Sequence, residues 1–133
     1  MSTRGAAGYV DNCDIFAYYN QWDSYPEGLG NTFLKFIKQV IMDVADIHNI
    51  GSICNGGKLH DLIDIYDHRY YPMLEYIYLY DIQKKVVKLL TLKYGNLSAY
   101  NDNFNNYYNV KTFDITQIIK NNYCWEWILK NES

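Results

Sequence analysis

The sequence has few cysteines and no long apolar run, and each of these features argues against particular classes of protein. Cys13, Cys54 and Cys124 are an odd number without a CxxC pair, so we expect free thiols, with no disulfide framework and no structural zinc site. No stretch approaches the roughly 20 apolar residues of a membrane-spanning helix, and the start MSTRGAAGYV lacks the apolar segment of a signal peptide. The sequence therefore predicts a cytoplasmic protein without membrane association.

Charge of either sign is also scarce. With 12 basic and 15 acidic residues, the formal net charge of -3 is too balanced for binding polyanions by bulk charge and too mild for an acidic DNA mimic. We therefore expect no direct, sequence-specific binding to nucleic acid. No repeat or linker divides the 133 residues, which suffice for one hydrophobic core, so we predict a single domain over residues 1–133.

Tyrosine, by contrast, is abundant: there are 15, against 3 Trp and 5 Phe. A tyrosine packs like a hydrophobic residue but keeps a hydroxyl that can hydrogen bond, so it is frequent at binding surfaces. A genome rich in A and T would also raise Tyr, Asn, Lys and Ile together. Both interpretations remain open from the sequence.

Alternating apolar residues predict the strands. Residues 4–10 and 14–19 flank a turn and predict an N-terminal hairpin, and residues 75–81 and 86–92 predict a central hairpin. The tail, residues 123–129, also alternates and predicts a last strand.

Apolar residues at three- and four-residue steps from Leu29 to Ile47 predict one long helix with a single buried face. Ser24 followed by Glu27 matches a capping box at its start. Shorter segments are predicted as helices over 58–68 and 113–120 and as loops over 49–57 and 93–109. The segments together predict an α+β fold, in which a small, mainly antiparallel sheet packs on one long and one or two short helices.

The loop before the long helix holds the first candidate site. A base can stack on Trp22 or Tyr25, and the free amides of a helix N-terminus favour a phosphate that Arg4 would also pair with. The predicted nucleotide-binding residues are Arg4, Trp22, Asp23, Tyr25, Gly28 and Gly30. The structural alternative is that the two aromatic residues hold the loop in place while Arg4 pairs with Asp23.

Three other groups of residues could carry chemistry. His60, Asp64 and His68 share one helix face and could hold a divalent metal, although a solvated face gives the same pattern. Residues 55–58, NGGK, lack the spacing of a phosphate-binding P-loop. Ser2 could act as a nucleophile with its own amine as base once Met1 is removed. Because no established catalytic pattern is present, we predict no catalytic residue, cofactor or metal ligand.

The second candidate site is a set of aromatic residues that could anchor a protein partner. Large aromatic side chains dominate the energetics of many interfaces. The set consists of Tyr76, Tyr78, Tyr80, Trp125 and Trp127. The alternative is that these side chains form the core beneath the long helix, and alternation alone does not say which face is exposed.

Residues 1–6, MSTRGA, and 19–30, YNQWDSYPEGLG, resemble a family of small bacteriophage proteins. These proteins open with an STRG or STRS strand and carry an HWDSYPEGLG-like loop before a long helix. Residues 75–82, EYIYLYDI, are similar to a strand of a hairpin that the family shares. Gln21 stands where a histidine is common, so any role of that imidazole is absent. The family has no settled activity, and the resemblance implies only a phage gene acting in a bacterial cytoplasm.

In that context we expect a non-enzymatic inhibitor of bacterial immunity, an anti-CRISPR or other anti-defence protein, that binds a host defence protein. One alternative is a protein that binds and sequesters a nucleotide immune signal. The second alternative is a small hydrolase. The abundant aromatic residues and the low net charge would also suit a symmetric homodimer.

Overall fold

The computed structural model describes residues 3–59, 74–92 and 108–132. The strands are β1 (Gly5–Asp11), β2 (Asp14–Asn20), β3 (Lys58–Leu59), β4 (Tyr76–Asp81), β5 (Val86–Leu92) and β6 (Tyr108–Asp114). The helices are α1 (Asn31–Ile41), α2 (Ile115–Lys120) and α3 (Trp125–Lys130), with a π-helical turn at Pro26–Gly30 and a 3-10 helix at Ile47–Ile53. Across the sheet the described strands are ordered β3-β2-β1-β4-β5-β6, and among them only β1 and β4 pair in parallel. The predicted α+β fold is confirmed.

Both predicted hairpins are present, and they join through the parallel pair of β1 and β4. Asn12 and Cys13, which connect β1 to β2, have φ angles of 50° and 74°. Two central residues with positive φ match the right-handed twist of the strands that they connect. The parallel pair places the N-terminal hairpin and the central hairpin side by side, with their two turns at the same end of the sheet.

Strand alternation gives the sheet two apolar faces. The face that packs against the helices has the larger core: Ala7, Tyr9, Leu29, Phe33, Leu34, Phe36, Ile37, Ile47, Ile50, Tyr78, Tyr80, Val87, Leu89, Phe113, Ile118, Trp125 and Ile128. The opposite face carries a second core: Ala6, Val10, Ala17, Leu59, Leu74, Ile77, Leu79, Leu90 and Tyr108. The tyrosines of β4 therefore point towards the helices, and Ile77 and Leu79 point away from them.

The long helix is present, but it is shorter than its apolar pattern predicts. Its buried residues are Phe33, Leu34, Phe36 and Ile37, at the predicted spacing. It ends at Ile41 because Asp43 adopts a left-handed conformation, with φ of 61°, that an α-helix does not continue through. Val44, predicted on the buried face, is 73% exposed, while Ile47 is buried in the separate 3-10 helix. The predicted loop over residues 49–57 is therefore wrong up to Ile53.

The sequence analysis did not predict β6. This strand overlaps the end of the predicted loop over residues 93–109 and the start of the predicted helix over residues 113–120. Within β6 only Tyr108 and Phe113 are buried, because among the described strands it lies at the edge of the sheet and pairs with β5 alone. The helix that follows begins after Asp114, whose backbone N–H donates to Gln117 Oε1 at 2.9 Å. Asp114 is thus the N-cap residue of this helix.

The predicted C-terminal strand is wrong, because residues 125–130 form α3. Trp125 and Ile128, three residues apart, are buried on the side that meets the core, and Trp127 points outward. Asn31 Oδ1 accepts a hydrogen bond of 3.0 Å from the backbone N–H of Trp125, which fixes the start of α3 against α1. An alternating apolar pattern over five residues is typical of a strand, but a short helix that buries only two residues can have the same sequence pattern.

The predicted helix over 58–68 begins instead with β3, and its remaining residues lie outside the described ranges. Among the residues that the structure describes, no helix combines the length and the apolarity needed to cross a membrane.

Candidate functional site

Residues 21–25, here called the Trp22 loop, connect β2 to the π-helical turn and are held by a buried hydrogen-bond network. Asn20 lies at its centre and is 5% exposed. Its Nδ2 donates to Trp22 O at 2.6 Å and to Ser24 Oγ at 2.9 Å, while its Oδ1 accepts from the N–H of Asn55 at 3.2 Å. The Asn55 side chain accepts from Gln21 N at 2.7 Å. One asparagine at the end of β2 thus fixes the loop and ties it to the segment before β3.

Two further contacts fix the far end of the Trp22 loop. The Tyr78 hydroxyl donates to Ser24 O at 2.7 Å inside the core, and Ser24 N donates to Thr3 O at 3.2 Å. Ser24 was predicted to cap the long helix, and that prediction is wrong. Its hydroxyl bonds to Asn20 inside the protein, and the turn that follows has Tyr25 at its N-cap position without a side-chain cap.

Three backbone amides of the π-helical turn are already hydrogen-bonded. Gly28 N and Gly30 N donate to Tyr25 O at 2.9 and 3.1 Å, and Leu29 N donates to Asp23 O at 2.8 Å. An anion binds at a helix N-terminus through amides that lack a partner. The phosphate-binding rationale for this turn is therefore not supported by its geometry.

The fixed loop exposes two large aromatic side chains. Trp22 is 52% exposed and Tyr25 is 45% exposed. The Tyr25 ring lies 6.3 Å from the half-buried ring of Tyr76, at an interplanar angle of 57°. Exposed aromatic residues on a rigid backbone are suited to binding, because little conformational freedom is lost when a partner covers them.

A pocket of about 340 Å³ opens beside Trp22. Its lining consists of Asn20, Trp22, Asp23, Gly28, Leu29, Thr32, Ile53, Cys54 and Asn55. Burial raises the pKa of the Cys54 thiol to about 12, so this thiol stays protonated at neutral pH and is a poor nucleophile. Among the described lining residues there is one carboxylate, that of Asp23, and no lysine or arginine.

Of the six predicted nucleotide-binding residues, three meet at this pocket, namely Trp22, Asp23 and Gly28. Tyr25 is exposed but is not part of the lining. Gly30 is buried where a Cβ would lie 2.7 Å from Cδ1 of a core tryptophan, so the close approach at this glycine is made by the protein itself.

Arg4 is separate from the pocket. It precedes Gly5, whose absent Cβ would point at Ser24, so strand alternation places Arg4 on the opposite face of the sheet. Its Nε is buried without a hydrogen-bond partner, and it forms no ion pair with Asp23. Neither the predicted phosphate contact nor the predicted ion pair fits this position.

Most of the predicted protein-binding aromatic residues are in the core. Tyr78 and Trp125 are 0% exposed, Tyr80 is buried and Tyr76 is half-buried, while Trp127 is 48% exposed. Tyr78, Tyr80 and Trp125 are therefore not exposed anchors for a partner, because β4 turns its tyrosines towards the helices and α3 turns Trp125 towards the core. Burial also raises the pKa of the Tyr78 phenol.

The remaining predicted groups divide between the described and undescribed parts of the chain. Ser2 and the residues His60, Asp64 and His68 lie outside the described ranges. Within the described ranges, no three His, Cys, Asp or Glu side chains are grouped as metal ligands would be. Of residues 55–58, Asn55 belongs to the Trp22 loop network and Lys58 Nζ lies 5.2 Å from the centre of the Phe16 ring.

The sequence did not reveal Asn20, Ser24 and Asn55 as the residues that hold the site. Their one signal is a polar residue at the end of an alternating strand, and this signal is weak in a chain rich in asparagine. No protein-family model, curated protein or solved structure matches the chain.

Proposed function

We propose that this chain is a non-enzymatic binding protein that contacts a protein partner through the Trp22 loop. The exposure of Trp22 and Tyr25 on a loop fixed by a buried network is the observation that carries the proposal. With the phage context that the resemblance implies, the partner is a bacterial defence protein, and binding inhibits it.

The loop has the composition of an interface centre. Trp and Tyr are enriched among the residues whose truncation costs binding by 2 kcal/mol or more, a loss of about 30-fold in affinity. The pocket of about 340 Å³ beside Trp22 gives the partner a concave site to fill next to the exposed ring.

Charge indicates the character of the partner. Asp23 and Glu27 are exposed beside the two aromatic residues, and neither forms an ion pair with a described residue. A partner surface with lysine or arginine would pair with these carboxylates and stack on Trp22. Binding should therefore weaken as salt increases.

A nucleotide signal is the second candidate ligand, supported by the exposed Trp22 ring at the edge of a pocket with room for a base. The contact would be made to the base, because the amides of Gly28, Leu29 and Gly30 are already hydrogen-bonded and no described basic residue lines the pocket.

The test is native mass spectrometry of the protein purified from a bacterial host, before and after heat extraction. The Trp22→Ala/Tyr25→Ala double variant removes the proposed contact, and Trp127→Ala removes a similarly exposed tryptophan elsewhere. A host polypeptide retained by the wild type and by Trp127→Ala, but lost from the double variant, supports the proposal.

Three results would redirect or reject the proposal. Loss of the polypeptide only with Trp127→Ala would move the interface to α3. A released small molecule, without a polypeptide, would favour the nucleotide candidate. Turnover of nucleotide or amide substrates by the wild type would favour the hydrolase alternative.

A further inference from the structure

A second cavity lies on the face of the sheet that points away from the helices. Its volume is about 410 Å³, within the usual range for sites that take small molecules. The cavity, here called the hairpin cavity, is lined by Val10, Asn12, Cys13, Ile15, Leu79, Asp81, Gln83, Lys84, Lys88, Leu90 and Val110. It shares no residue with the pocket at the Trp22 loop.

The floor of the hairpin cavity is apolar. Val10, Leu79 and Leu90 come from three neighbouring strands and are almost fully buried, and Val110 of the edge strand is 42% exposed. The methylene stem of Lys88, whose β5 position pairs with Leu79, extends this surface. An apolar chain or ring lying here would be removed from water.

The rim is a rigid structure, because one side chain joins the two hairpin turns. Gln83 Nε2 donates to Asp11 Oδ1 at 2.6 Å, and its Oε1 accepts from Asn12 N at 2.9 Å. These bonds link residues more than 70 positions apart in the chain. The cavity is therefore formed before any ligand arrives.

The charged groups at the cavity favour an anion. Lys84 and Lys88 contribute two ammonium groups, neither of which pairs with a described carboxylate. The one carboxylate in the lining, Asp81, is 5% exposed and accepts a hydrogen bond of 3.0 Å from Lys84 N. Two lysines and one aspartate leave an excess of one positive charge among the described lining residues, which favours an acidic group above the apolar floor.

We propose that the hairpin cavity binds a small amphipathic anion, an apolar chain or ring that carries one carboxylate or similar acidic group. The apolar part covers the strand floor, and the acidic group pairs with Lys88 and Lys84. This site is independent of the Trp22 loop, so it can be present whether or not the proposed protein partner is correct.

The first test uses decanoate as the anionic probe and decanol as its neutral counterpart, each titrated by calorimetry. Decanoate should bind saturably, one per chain, and at least tenfold more tightly than decanol, as expected for a charge-assisted contact. Lys88→Glu should weaken decanoate at least tenfold. Lys35→Glu makes the same charge change at an exposed position of α1 and should leave binding unchanged.

The second test needs no variant and uses Cys13, an exposed thiol of the cavity lining. Decanoate should slow alkylation of Cys13 by iodoacetamide, as measured on its peptide by mass spectrometry, whereas decanol at the same concentration should not. Equal affinity for the two probes, or unprotected Cys13 at saturating decanoate, would overturn the proposal. A dimer that shields Cys13 and releases it on dilution would assign the cavity to a second copy, which also overturns it.

Discussion

Replacing Tyr78 by Phe should destabilise the protein through one hydrogen bond. The ring is 0% exposed, and its hydroxyl is the donor that reaches Ser24 O at 2.7 Å. Phenylalanine keeps the ring contacts with Phe33 and Trp125, which lie 5.8 and 5.9 Å away between centroids. The variant therefore isolates the loss of the donor, and an unsatisfied buried acceptor costs about 1–3 kcal/mol.

Urea unfolding would measure this loss. The midpoint should fall by the equivalent of 1–3 kcal/mol, with an unchanged denaturant slope. Tyr25→Phe is the matched control, because it removes an exposed hydroxyl and should change stability by less than about 0.5 kcal/mol. Equal stability of wild type and Tyr78→Phe would refute the reasoning, since it would mean that the hydroxyl does not support the Trp22 loop.

Three further results are expected. Gly30→Ala should cost about 1–3 kcal/mol in urea unfolding because its Cβ meets a buried tryptophan ring, whereas Gly57→Ala, with nothing within 4 Å, should change stability by less than about 0.5 kcal/mol. In thiol titration at pH 8, Cys13 should react and Cys54 should stay silent until the protein unfolds, because burial raises the pKa of Cys54 to about 12. Burial raises the pKa of Tyr78 above its unfolded value of 10.0, so its stabilising contribution is complete below pH 10 and is lost as the pH rises further; Tyr78→Phe should lose stability less steeply than the wild type above pH 10.

The sequence predicted the elements in which one local pattern is strong. The two hairpins alternate clearly, and α1 repeats its apolar residues at the spacing of a single buried face. The end of α1 was not predictable in this way, because the apolar pattern runs on to Ile47 while Asp43 turns left-handed. Apolar spacing reports which residues become buried, but it does not report whether the backbone is continuous between them.

The missed elements have weak patterns for definite physical reasons. β6 is an edge strand whose middle residues face water, so only Tyr108 and Phe113 signal burial. α3 is six residues long and buries only Trp125 and Ile128, which is too few to separate a helical period from an alternating one. Both elements depend on contacts with a segment that is distant in the sequence, β5 for the strand and α1 for the helix. A local sequence pattern does not indicate such a contact.

The candidate site at the Trp22 loop was also only partly predictable, because local patterns do not identify contacts between distant parts of the chain. Trp22, Asp23 and Gly28 lie within one stretch of seven residues, and the structure places them around one pocket. Arg4 was assigned to the site by proximity along a hairpin, and alternation puts it on the other face. The network at Asn20 joins residues up to 35 positions apart, so no local pattern could have indicated it.

Part of the abundance of tyrosine has a structural explanation. Buried tyrosines use their hydroxyls to satisfy carbonyls of neighbouring segments, as Tyr78 does for Ser24 O and Tyr108 does for Leu74 O at 2.9 Å. A phenylalanine would fill the same space but leave these acceptors unbonded in the core. Tyr78 of β4 thus supports the Trp22 loop from below, and the loop itself carries two exposed aromatic residues, Trp22 and Tyr25. A core variant such as Tyr78→Phe should therefore weaken the proposed partner binding by loosening the Trp22 loop.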